Sequence, residues 1–408
     1  MRHTISYILL VILMFLPLLI EALGITKLIS ILTYAFIMSI YALSFSFLLG
    51  YLGLLNFGHS LFFGLGAYLT TYQLIWLGVP YPLALLISTV LGSLIGLAVA
   101  FITRKMLRGI PFAFITLTLL LIIYSLYKRR EFRIISGSEQ GLIIYLPEIL
   151  TSEMIPLISI LIFVIILINI LNEMREDFLN SSSNNNLSSF KRGTFLSKNI
   201  LVLCLFCMIY ISAIIILIRY LASKMPPYRV SINIYMISLT SLYLIYISLK
   251  TLIKRPIAVA WITTRDNETR AETLGYNSFM LKAIALVISG TIASLSGGLY
   301  ILYSQNINPD TAFSPLLSVY GLVYSIIGGV YMIEGPIVGA TLVTILEKYL
   351  SDFVGGWSVV ATGIIFIAVV LYMPKGLSYY LWHALNKIFS RGFSIYGVKN
   401  KLVRQEKI

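Results

Sequence analysis

Charge is scarce in this chain. Asp, Glu, Lys and Arg make up 11% of its 408 residues and hydrophobic residues 59%, where soluble domains carry roughly 25% charged residues. That deficit excludes an ordinary water-soluble domain and points to a polytopic membrane protein. Cysteine and histidine are scarcer still, with 2 and 3 copies. Cys204 and Cys207 share one face of an apolar run. No further ligands lie beside them for a metal site, so they read as small apolar residues in a span. No Gly-x4-Gly-Lys-Ser/Thr phosphate loop occurs, so the chain does not cradle ATP in that way. No catalytic residues and no bound cofactor are expected. Apart from His59, the apolar spans hold almost no ionisable group, because Glu21, Arg219, Glu347 and Lys348 fall at expected helix ends. Proton-coupled pumps carry an acid or histidine relay inside the membrane. This absence argues against a self-powered symporter or antiporter, although a sodium site of backbone carbonyls would leave no such trace.

What charge there is leans basic, with 30 Lys and Arg against 16 Asp and Glu. No basic face joins a soluble fold, so nucleic acid is not an expected partner. Cytoplasmic loops of membrane proteins are rich in Lys and Arg, and that is the expected origin of the excess here.

Apolar runs near the roughly 20 residues needed to cross a bilayer recur about twelve times. They are Ile5–Leu23, Leu28–Leu49, Phe57–Leu77, Tyr81–Ile102, Pro111–Tyr127, Pro156–Leu171, Ile200–Leu221, Asn233–Ile253, Phe279–Tyr303, Leu316–Met332, Pro336–Leu350 and Ser358–Met373. The expected fold is therefore all-α and polytopic, with about 10–12 transmembrane helices, some broken or re-entrant. Phe57–Leu77 and Leu316–Met332 are interrupted by glycines, and Pro336–Leu350 is short. With both termini in the cytoplasm, most Lys and Arg fall inside, as the positive-inside bias requires. Lys128, Arg129, Arg130 and Arg133 fall outside and stand against that orientation. Residues 1–377 are expected to form one permease domain and 378–408 a basic cytoplasmic tail. Within it, about 148–229 reads as an inserted helical pair around the polar, unstructured run Asn180–Ser189.

Two glycine-rich blocks interrupt the apolar pattern. Gly50, Gly53, Gly58, Gly64 and Gly66 form the first; Gly328, Gly329, Gly335 and Gly339, with Pro336, form the second. Gly58 and Gly64 have the spacing of Gly329 and Gly335, and Gly-Ala follows each pair. Such blocks serve close helix packing, or broken helices that line a solute path between internal repeats. His59, inside the first block, is a functional candidate because it is an ionisable group within an apolar body. Its place near an expected cytoplasmic edge suits a capping or interfacial role better.

Between two long spans lies one dense polar segment, 254–278, containing Arg265, Asp266, Glu268, Arg270 and Glu272 around Ala271, Leu274 and Gly275. A solvated cytoplasmic helix is the bland reading. The sharper one is a helix that docks in a cleft of a partner, its small residues permitting close approach and its charges setting register.

Taken in order, five blocks resemble the LivM/LivH-type permeases, the membrane subunits of ABC importers for branched-chain amino acids. They are LLGYLGLLNFGHSLFFGLGAY (Leu48–Tyr68), RGIPFAFITL (Arg108–Leu117), SGSEQGL (Ser136–Leu142), Arg265–Tyr300, and IIGGVYMIEGPIVGA (Ile326–Ala340) with MPKGL (Met373–Leu377). The resemblance implies a multi-pass permease of the cell membrane. It would work with two ABC ATPase subunits that hydrolyse ATP, a second permease subunit and an extracellular solute-binding protein. Arg265, Asp266, Glu268, Ala271, Glu272 and Gly275 would dock the ATPase. Gly58, His59, Gly64, Gly66, Gly328, Gly329, Gly335, Pro336 and Gly339 would shape the translocation path. Ser138 and Gln140 depart from the family's loop, and Thr273 from the small residue expected after Glu272. Urea, short amides and sugars remain alternative solutes, and an ion-driven transporter an alternative class.

Overall fold

The computed structural model describes residues 27–107, 109–132, 136–137, 140–145, 226–373 and 376–384, with isolated positions before residue 21. The expected span Ile5–Leu23 apart from those isolated positions, the spans Pro156–Leu171 and Ile200–Leu221, the run Asn180–Ser189, both cysteines, Arg133, Ser138 and the tail from 385 lie outside these residues.

The described chain is helical throughout, apart from one two-stranded ribbon. The helices are α1 (Lys27–Leu52), α2 (Ser60–Ile75), α3 (Tyr81–Ile102), α4 (Gly109–Lys128), α5 (Pro226–Ile253), α6 (Pro256–Asp266), α7 (Glu268–Thr273), α8 (Ser278–Ser304), α9 (Pro309–Ala312), α10 (Pro315–Gly328), α11 (Gly335–Val354) and α12 (Ser358–Tyr372). Among the described residues, 7 helical stretches are long and apolar enough to cross a membrane. The chain is thus an all-α polytopic membrane protein. α2 is not among those stretches, because the break before Ser60 leaves it 16 residues long.

Local sequence explains where the helices start. Proline stands in the first turn of α3, α6, α9, α10 and α11, where its missing N–H and fixed φ cost nothing. Asn267, Asn277 and Asn308 cap α7, α8 and α9, each side chain accepting a backbone N–H of the first turn.

Two compact units divide the chain. One takes Met1–Thr33 and Tyr145–Tyr243, the other Tyr34–Ile144 and Leu244–Ile408. In the second, α8 packs along α2 and α3, and small residues set how closely. A Cβ on Gly66 would meet Ser294 Cα at 2.5 Å, one on Gly297 the Phe63 carbonyl at 2.0 Å, and one on Gly96 the Leu286 carbonyl at 2.7 Å. Without a hydrophobic drive between helices in lipid, such close approach is how they gain contact. Buried hydroxyls tie α8 to α1 and α3: Ser289 donates to the Ser44 carbonyl (2.9 Å), Ser294 to Ser88 (2.8 Å) and Ser296 to Ile37 (2.8 Å). α3, α4 and α12 instead present apolar side chains outward, Leu86, Val90, Phe114 and Ile364 among them.

Beyond α8, Asn306–Ile307 (β2) pairs antiparallel with Leu142–Ile143 (β1). The loop Ser136–Leu142 is thereby fastened to the far end of α8. Nearby, Lys128 Nζ lies 2.7 Å from Asp310 Oδ1, so one member of the basic group that opposes the expected orientation is paired with an acid.

Candidate functional site

Each glycine block lies at a break between two helices. After α1, Gly53 takes φ +66° and the backbone runs without helix until α2. The Asn56 side chain accepts from Gly58 N at 3.0 Å. A Cβ on Gly58 would meet the Thr116 carbonyl at 2.1 Å, so the turn lies directly on α4. After α10, Gly329 takes φ +111°, a conformation that favours glycine, and α11 begins at Gly335-Pro336. A Cβ on Gly328 would meet the Gly335 carbonyl at 1.8 Å, and one on Gly339 the Tyr324 carbonyl at 2.0 Å. Gly64 faces Phe313 and the Ala312 carbonyl. The chain leaves the helix beside each block, and glycines of both blocks are spent on close backbone contact.

Serines join the two blocks. Ser60 N donates to Ser318 Oγ at 2.9 Å, and the two hydroxyls are 3.0 Å apart. Nothing in the sequence marks Ser60 and Ser318 apart from other membrane serines, many of which bond back to their own helix, as Ser238 and Ser325 do here.

His59 neither caps nor faces an interface. It precedes α2 without a side-chain capping bond and is fully buried. Its ring lies among Tyr41, Phe45 and Phe62, with centroids 5.1, 5.2 and 5.7 Å away. Nε2 is 2.7 Å from Ser44 Oγ, while Nδ1 has no partner among the described residues. The inward turn of the ring, which sequence position could not reveal, is what overturns the capping expectation.

The polar segment is two helices rather than one. Asn267 is extended, and its side chain accepts from Arg270 N at 3.0 Å, ending α6 and starting α7. Gly275, at φ +89°, turns the chain toward α8. Ala271 is fully buried, so its small size serves packing within this chain and offers no surface to a partner. Leu274 (65%), Tyr276 (40%) and Met280 (60%) are the exposed apolar groups beside it, and Glu272 is exposed with them.

Two charged contacts fasten this segment to the membrane helices. Arg265 Nη1 donates to the Gly50 carbonyl at 2.5 Å, and its guanidinium lies 5.5 Å from the centre of the Tyr331 ring. A Cβ on Gly50 would meet the Val330 carbonyl at 2.7 Å, and one on Gly53 the Arg265 Cγ at 3.0 Å, so Arg265 stands beside the first break, where the last turn of α1 meets the second. Glu268 pairs with the buried Lys282 of α8 at 2.8 Å, and Lys282 also donates to the Leu107 carbonyl at 2.7 Å. Asp266 holds Arg265 through Nε and Nη2, each at 2.9 Å.

Residues 27–370 match the family model described as "Branched-chain amino acid transport system / permease component". The chain is similar to the "Probable branched-chain amino acid transport permease protein LivH" of Methanocaldococcus jannaschii. Identity is 26% over 169 residues, covering 40% of this chain and 51% of the relative. It is also similar to the "High-affinity branched-chain amino acid transport system permease protein LivM" of Salmonella typhimurium and of Escherichia coli. Each is 23% identical over 159 residues, or 39% of this chain and 37% of the relative. The matched stretch thus spans about half, or less, of these curated relatives. No solved structure matches.

Proposed function

This chain belongs to the family of permease components of branched-chain amino acid transport systems, and from that premise we propose that it is the membrane subunit of an ATP-driven importer of small neutral amino acids. The observation that carries the coupling half of this reading is the double fastening of the polar segment. Arg265 reaches Gly50 beside Val330, and Glu268 reaches Lys282 of α8. A push on α7 would reach both glycine breaks through the first contact and the length of α8 through the second.

In this reading α7, with exposed Glu272, Leu274, Tyr276 and Met280, meets a separate ATPase subunit. Arg265, Asp266, Glu268 and Gly275 hold and turn the segment. Gly58, Gly64, Gly66, Gly328, Gly329, Gly335, Pro336 and Gly339 let the breaks close and reopen, with His59 fixed behind the first. Gly50 lies on Val330, and Tyr246 OH donates to Glu334 Oε1 at 2.9 Å in the second break; in this reading these contacts close the inner end. A neutral zwitterion suits such a path, since helix ends and carbonyls can meet both its charges. A second permease, two ATPase subunits, a solute-binding protein and the cell membrane, with the α7 side in the cytoplasm, complete the assembly.

The test is Glu272→Arg in the complex reconstituted with its ATPase and binding protein. ATP hydrolysis continues while leucine uptake is lost, and the permease remains inserted. Normal uptake by that variant sinks the docking assignment, and leucine uptake by the chain alone, without ATPase, sinks the importer.

A further inference from the structure

The turn between α3 and α4 meets the same end of α8 as the polar segment. Thr103, just past α3, is buried. The next three residues, Arg104, Lys105 and Met106, are exposed and form a single turn of 3-10 helix. Two contacts hold that turn. The Arg104 guanidinium lies 4.9 Å from the centre of the Phe279 ring, and Phe101 meets the same ring at 5.7 Å. One residue further on, the Leu107 carbonyl accepts from Lys282, the buried lysine that also pairs with Glu268 of α7. A single ammonium thus ties the turn and α7 to each other as well as to α8. The chain then enters α4 at Gly109. About 10 Å along that helix, at 1.5 Å per residue, the Thr116 carbonyl stands 2.1 Å from where a Cβ on Gly58 would lie. The turn is therefore at the near end of the helix against which the first break rests. Exposed apolar surface continues from the turn to the polar segment, through Met106 and Met280. Charge does not. α7 carries Glu268 and Glu272 against one arginine, whereas the turn carries cations alone. Among the described residues neither Arg104 nor Lys105 has an ion-pair partner.

We propose that the Arg104–Met106 turn is a second docking surface for the ATPase subunit, engaging an acidic patch beside the cleft that takes α7. The proposal deepens the importer reading and rests on it. Two patches of opposite sign admit a partner in one register, because a shifted or rotated partner brings like charges together. The patches also act on different parts of the first break. α7 reaches Gly50 through Arg265, and the turn reaches Gly58 through α4. Anionic lipid headgroups attract exposed cations at a cytoplasmic membrane face and are the competing occupant. Headgroups, however, give no use to the buried Lys282 that locks the turn to α7.

The experiment measures the affinity of the purified ATPase subunit for the full chain in nanodiscs, against salt, with phosphatidylcholine alone or mixed with phosphatidylglycerol. Lys105 makes no polar contact among the described residues, so Lys105→Glu leaves the fold intact. That variant weakens association about threefold, and Arg104→Glu with Lys105→Glu about tenfold. Both losses occur in both kinds of nanodisc and fade as salt rises. Arg130→Glu makes the same change of charge past the opposite end of α4 and leaves association unchanged. Equal losses for Lys105→Glu and Arg130→Glu would mark an effect of net charge and overturn the surface. A loss confined to the phosphatidylglycerol discs would assign the turn to headgroups and overturn it too. ATP-driven uptake by the reconstituted complex is scored separately. Unaltered affinity in both turn variants, with association weakened by Glu272→Arg, removes the second surface and leaves the importer. Association that depends on the turn without ATP-driven uptake keeps the surface and removes the importer, and no association by the unaltered chain removes both.

Discussion

The guanidinium of Arg265 donates to the carbonyl of Gly50 from 2.5 Å, where the last turn of α1, just before the first break, meets Val330 of the second. A charged donor on a neutral carbonyl contributes roughly 1.5–3 kcal/mol. Arg265→Ala is therefore expected to shift the inner end toward its open form by about tenfold or more. The measurement is passive leucine leak from proteoliposomes without ATP, which rises in the variant. An unchanged leak would remove Arg265 from the closure.

Lys282 and Glu268 should behave as one unit. Removing one member of a buried ion pair costs about 3–5 kcal/mol, because the other is left uncompensated, whereas replacing both is often tolerated. Lys282→Met alone lowers the unfolding temperature of the solubilised chain sharply. Lys282→Met with Glu268→Gln recovers much of the loss. Equal instability of single and double variants would show that the pair is not the fastening.

Glycine contacts separate into tight and free positions. A Cβ on Gly339 would lie 2.0 Å from the Tyr324 carbonyl, whereas one on Gly363 in α12 meets nothing within 4 Å. Forced overpacking costs about 1–3 kcal/mol. Gly339→Ala lowers thermal stability by that amount and impairs uptake, and Gly363→Ala changes neither. Comparable behaviour of the two would mean that α10 and α11 are not held by close approach.

Among the described residues, the Ser44–His59 contact of 2.7 Å is the sole hydrogen bond of that ring, since Nδ1 has no partner there. Ser44→Ala leaves a fully buried imidazole without one and is expected to destabilise by about 1–3 kcal/mol. Thermal unfolding in detergent measures this, and an unshifted transition would show that water replaces the hydroxyl.

Hydropathy located the helices because length and apolar content decide membrane spanning. Every expected span within the described residues contains a helix. Of the two spans expected to be interrupted by glycines, Leu316–Met332 does end its helix at Gly328, whereas α2 runs unbroken through Gly64 and Gly66. What pattern did not reveal was direction. The inward turn of His59, the Ser60–Ser318 meeting and the burial of Ala271 depend on side-chain placement between segments far apart in sequence. The division of the polar segment was within reach. Asn267 precedes Glu268 as a capping residue, and asparagine prefers that place, yet helical periodicity through the charges concealed it.

Lys282, the one cation of α8, also bears on how the protein is made. A lysine at the centre of an inserting helix costs about 2.5–3.5 kcal/mol, and less toward an end. Lys282 stands in the first turns of α8, and both of its acceptors, the Leu107 carbonyl and Glu268, come earlier in the chain. A ribosome delivers them first. The charge thus arrives at the bilayer after the groups that neutralise it, and α8 can integrate without passing through a state in which its lysine faces lipid alone.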